Sequence, residues 1–205
     1  MADGIEIDIR KLVFPIIGVV CLGIQNLLII VSSYYERGFD SPSLTSSFIF
    51  TLDLIGFSIL GLGCVLLVID HPRLINPLLA AVAFFGWVGF SLVWRLTNNI
   101  YENGIRSITP DLIFMAFFFL GAISLVFAFF FFWQSLSEYQ GGRDRFGLIV
   151  SMIYTGTNFI VAILVLNSSP TRLETLGLTK LMLIPLYGIF NYFFVLYILI
   201  GMLKR

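Results

Sequence analysis

Within the stretch 47–69, "SFIFTLDLIGFSILGLGCVLLVI", the single charged residue is Asp53. A carboxylate in so apolar a segment can carry a proton, hold a cation, or pair with a basic side chain on a neighbouring element. Other chemistry is thin. The lone histidine, His71, sits in the short "DHPR" turn, so neither a pair of axial histidines nor a zinc set of two histidines and a glutamate can be assembled. HExxH, GxSxG, P-loop and dinucleotide-binding glycine patterns do not occur, and no lysine lies deep in an apolar block. Cys21 and Cys64 both fall inside apolar blocks with no CxxC spacing, and they read as small hydrophobes. Glu36, Asp40, Glu102, Asp111 and Glu174 read as solvated loop acids. The expectation is a protein that is not an enzyme, with no catalytic residue, no metal and no cofactor.

The elements that must position Asp53 follow from composition. Of 205 residues, 59% are hydrophobic and 12% charged, about half the charge of an ordinary soluble domain, and the apolar residues come in blocks of membrane-spanning length. Lipid offers no partner to a free backbone N–H or C=O, so these blocks must be helices. The expected fold is all-α: a polytopic integral membrane protein, a bundle of six transmembrane helices over 12–35, 47–69, 76–97, 112–134, 146–167 and 180–203, in one domain. The joints "ERGFDSPS", "DHPR", "NNIYENGIRSITPD", "SEYQGGRDR" and "NSSPTRLETLG" are short and rich in turn residues, so consecutive helices run antiparallel.

Acids ahead of the first apolar run and the lack of a small-residue cleavage site argue against a removed signal peptide. Of the twelve basic residues, Arg10, Lys11, Arg73, Arg143, Arg145, Lys204 and Arg205 fall on the side of the termini, against five on the other side. That bias places both termini in the cytoplasm and the chain in the cell membrane. Scattered basic residues and zero net charge give no footprint for nucleic acid. The lipid bilayer is the expected partner, with other membrane subunits or a second copy as further candidates. "KLVFPIIG" at 11–18 and "KLMLIPLYG" at 180–188 resemble each other, which a common way of starting a membrane helix explains without duplication.

Helical periodicity gives Asp53 a direction. Gly56, Gly61 and Cys64 share its side of the second helix, at i+3, i+8 and i+11, and small residues mark the face on which helices approach closely. Asp53 is therefore expected to point into the bundle. Polar residues elsewhere could meet it: Gln25 beside Asn26 in the first helix, Arg95 one turn beyond Ser91 in the third, and Tyr154 and Asn158 in the stripe Ser151–Tyr154–Thr155–Asn158 of the fifth. Tyr187, Gly188 and Asn191 supply a smaller group in the sixth. Helix packing is expected at Gly56, Gly61, Gly86, Gly89 and Gly121, the last on a small edge with Ser124 and Ala128. The rest of the fourth helix is crowded with phenylalanine, and it is expected to lie outermost, against lipid.

These residues support a transporter or channel for a small solute or ion, with a site formed by Asp53, Arg95, Gln25, Tyr154 and Asn158. The alternative is a non-catalytic accessory or scaffold subunit of a larger membrane complex, with Asp53–Arg95 as a structural ion pair.

Overall fold

The computed structural model describes residues 9–35, 42–70, 74–102, 109–139, 153, 156, 186 and 188–202, and all of its elements are helices. They are α1 (Ile9–Tyr35), α2 (Pro42–Asp70), α3 (Ile75–Glu102), α4 (Thr109–Tyr139) and α5 (Gly188–Met202). Three stretches, Arg10–Val31, Phe48–Ile69 and Ile75–Val93, are long and apolar enough to cross a membrane; α4 and α5 carry shorter apolar segments over Leu120–Leu136 and Gly188–Met202. The fifth expected helix, 146–167, falls almost wholly outside the described residues.

Helices α1 to α4 overrun the apolar blocks, by five residues at the start of α2 and at the ends of α3 and α4. Hydropathy marks where side chains leave lipid, whereas a helix continues until its backbone bonds are broken. Prolines are consistent with these boundaries. Pro42 opens α2, Pro77 is the third residue of α3 and Pro110 the second of α4, all in a first turn whose N–H groups have no intrahelical acceptor.

Pro15 is the exception, inside α1, and a packing contact accounts for its site. Its ring fills the notch left by Gly63 of α2, where a Cβ would come 2.6 Å from Pro15 Cδ. One turn along, α1 and α2 cross at Gly18 and Gly56. A Cβ on Gly18 would lie 2.9 Å from the Gly56 carbonyl oxygen, and one on Gly56 would lie 2.7 Å from Leu22 Cγ. Gly56 and Gly63 stand two turns apart on one face of α2, so the two backbones press together along that seam. Gly61 faces the other way, against the Phe85 ring of α3.

The α3–α4 seam uses the expected small edge. Ser124 Oγ donates to the Ala83 carbonyl at 2.7 Å, and Gly86 leaves room for it, since a Cβ there would come 2.6 Å from that oxygen. At one end of this seam Asn76 Nδ2 donates to Glu138 Oε1 at 2.6 Å. Gly89 differs from expectation: no described atom lies within 4 Å of where its Cβ would be.

The largest correction concerns α4. Phe129, Phe132 and Trp133 are 1%, 0% and 1% exposed, so one face of this helix forms the centre of the core rather than its rim. Phe129 packs edge-on against Phe57 of α2 and Phe84 of α3, with centroids 6.2 and 5.6 Å apart, and Phe84 meets Phe132 at 5.8 Å. Phenylalanine lies both in the core and on the outer surface here, because Phe127 on the same helix is exposed. Helix α5 packs against α1 and α4. Its Gly188 sits against Asn26 of α1 and its Tyr192 against Phe129 of α4, and Gly188, Asn191, Tyr192, Val195, Ile198 and Leu199 form its buried stripe.

Gly56→Leu should lower stability in detergent by about 1–3 kcal/mol, because Leu22 and the Gly18 backbone leave no space for the side chain. Gly89→Leu should stay within about 0.5 kcal/mol of the parent. Unfolding by denaturing detergent in mixed micelles checks both; equal losses would contradict the packing described.

Candidate polar site

Asp53 lies one turn before Gly56 on α2, so the glycine seam that locks α2 onto α1 also fixes the direction of the acid. Its carboxylate turns toward α3 and accepts a hydrogen bond from Trp87 Nε1, with Oδ2 at 3.2 Å. An ionised carboxylate and an indole N–H form a charge-assisted bond, worth about 1.5–3 kcal/mol where water is scarce. The donor is neutral, so the bond orients the acid without cancelling its charge.

Three helices hold Trp87 in place. It belongs to α3, it meets the Phe57 ring of α2 edge-on at 5.9 Å, and it rests on α4 at Gly121, where a Cβ would come 3.2 Å from the indole Cζ3. Gly121 was expected to pack helices; here it specifically makes room for the ring that binds the acid. Neither Phe57 nor Gly121 touches the carboxylate in the described contacts, yet both set where the Nε1 donor points.

Arg95 is placed close to this site by a different contact. Its guanidinium Cζ lies 4.3 Å from the centroid of Phe50, and Phe50 is one turn from Asp53 on the same helix. Stacking over an aromatic face is a common arrangement for a guanidinium. The described hydrogen bond to Asp53 thus comes from the indole, and the arginine stands a turn further along. Trp87, Ser91 and Arg95 follow each other at i, i+4 and i+8 on α3, which explains why the face carrying Arg95 also presents Trp87.

Gln25 and Asn26 form a second polar group, on α1. Both are buried. Asn26 Nδ2 donates to Gln25 Oε1 at 3.0 Å and to the Leu22 carbonyl at 2.9 Å. Because Leu22 packs on Gly56, three residues along each antiparallel helix puts Gln25 and Asp53 in one layer across the α1–α2 seam. Gly188 of α5 joins that layer, where a Cβ would come 2.6 Å from Asn26 Oδ1. Tyr154 and Asn158 lie outside the described residues.

Trp87 was not among the expected site residues, although a signal for it exists. Tryptophans of membrane helices gather near the interfaces, where the N–H meets water and headgroups. Trp87 lies in the interior of the apolar stretch Ile75–Val93, and an indole N–H there needs an acceptor from the protein.

Asp53→Asn should retain the parent stability within about 0.5 kcal/mol, since the amide oxygen can still accept from Trp87, whereas Trp87→Phe should cost about 1.5–3 kcal/mol. Unfolding in mixed micelles separates the two, and a neutral Trp87→Phe would remove the bond from the picture. No protein-family model, curated protein or solved structure matches the chain, so its function is argued from these residues alone.

Proposed function

We propose that this protein is a small multi-pass membrane protein that moves protons, a transporter or channel in which Asp53 is the group that takes and releases the proton. Both termini lie in the cytoplasm, six helices cross the cell membrane, and no catalysis of covalent chemistry is involved. The observation that carries this reading is the hydrogen bond from the uncharged indole of Trp87 to the Asp53 carboxylate inside a membrane-spanning stretch. A neutral donor brings no opposite charge to the carboxylate, so the charge of its ionised form is left for one proton or one monovalent cation to neutralise. A metal cation would need several oxygen ligands at once. The side-chain hydrogen bond described at Asp53 comes from the Trp87 indole, which offers a cation no oxygen ligand, and that favours the proton.

The competing reading is an accessory or scaffold subunit with Asp53–Arg95 as a structural ion pair. The hydrogen bond described at the Asp53 carboxylate comes instead from the neutral indole of Trp87, which favours the first reading. Intramembrane carboxylates used as structural glue are costly to retain, whereas proton relays depend on them.

Purified protein reconstituted into liposomes containing a pH-sensitive dye tests the proposal. Under a potassium diffusion potential, the parent should acidify the lumen faster than empty liposomes, and Asp53→Asn should fall to the empty-liposome rate while eluting as the parent does on gel filtration. Parent liposomes that leak no faster than empty ones, or an Asp53→Asn variant as active as the parent, would overturn it.

A further inference from the structure

Asn191 is buried completely, at 0% exposure, and among the described residues neither its Nδ2 nor its Oδ1 has a hydrogen-bond partner. A buried amide with both ends unsatisfied is costly, and an apolar side chain of the same shape would serve packing better. Asn191 occupies the buried stripe of α5 between Gly188 and Val195, where its neighbours along the stripe are small or apolar. Among the described residues, packing gives no reason for an amide there.

Position supplies one. Gly188 lies in the layer of Asp53, Gln25 and Asn26, and Tyr192 packs on Phe129, which belongs to the layer of Phe57. Helix α5 therefore descends from the acid's layer toward the end of the bundle where α1 begins. Asn191, three residues beyond Gly188, stands about 4.5 Å further along that axis. Among the described residues, the other buried group without a partner, Trp133 Nε1, can only donate. An amide can both donate and accept, which is what a water molecule carrying or passing a proton requires.

We propose that Asn191 is the next station of the proton's path on the cytoplasmic side of Asp53, the residue that holds a water molecule on that path. This rests on the proton reading of Asp53. The O–H bond of the protonated Asp53 breaks, a water takes the proton to become hydronium, and the carboxylate is left to take a new proton from the outer side. Asn191 Oδ1 accepts a hydrogen bond from the water that receives the charge, and Nδ2 donates to a second water that carries it on.

Asn191→Leu, nearly the same shape, separates this role from a structural one. A structural amide would lose stability on that change. The station instead predicts a thermal midpoint raised by about 2–6 °C, with proton flux in the liposome assay reduced to the empty-liposome rate. Asn191→Gln, which keeps donor and acceptor, should restore flux. A lowered midpoint, or flux equal to the parent in Asn191→Leu while Asp53→Asn is inactive, overturns the role of Asn191 alone. Absence of Asp53-dependent flux in the parent overturns both readings.

Discussion

The bond from the Trp87 indole to the Asp53 carboxylate constrains the rest of this structure. An acid in an apolar helix has to be aimed, and aiming it requires fixing the helix that carries it and the ring that meets it. The first task falls to Gly18, Gly56 and Gly63, which bring α1 and α2 to backbone contact with Pro15 keyed into the last of them. The second falls to Phe57 and Gly121, which trap the indole between α2 and α4. The polar contact is thus the product of two small-residue seams. Neither seam touches the carboxylate in the described contacts, but a bulky side chain in either one would move it.

Below that layer the described core is filled by rings. Phe57, Phe84, Phe129, Phe132 and Tyr192 come from four helices and meet mostly edge-on or tilted, the arrangements that their quadrupoles favour over face-to-face stacking. Among lipid-embedded helices there is little hydrophobic drive for association, so van der Waals fit and polar contacts must supply specificity. Large rigid rings supply the fit. The amides of Gln25, Asn26 and Asn191, together with Asp53, supply polarity at restricted depths.

The inward direction of Asp53 was legible because Gly56 lies one turn away on the same face, and small residues in a membrane helix mark a close neighbour. The partner was not legible by the same reasoning. Weighing charge against charge favours Arg95, whereas the described hydrogen bond is an indole's, and only the depth of Trp87 within its helix hints at it. Gly63 is invisible in periodicity because its role depends on Pro15 of another helix. The phenylalanines of α4 mislead for a different reason: the residue suits lipid and core equally, so composition cannot say which side of a helix is buried. Gly89 makes the converse point, since a small residue permits an approach without requiring one.

The central claim is that the Trp87 N–H is bonded to the Asp53 carboxylate, and the most direct measurement is the indole N–H resonance of Trp87. With the protein labelled at tryptophan nitrogen in detergent micelles, its three indole signals can be assigned by Trp87→Phe. A bonded pair gives a Trp87 proton that exchanges slowly and lies downfield, and that moves upfield in Asp53→Leu while the other two signals hold still. A Trp87 signal identical in the parent and in Asp53→Leu would contradict the claim.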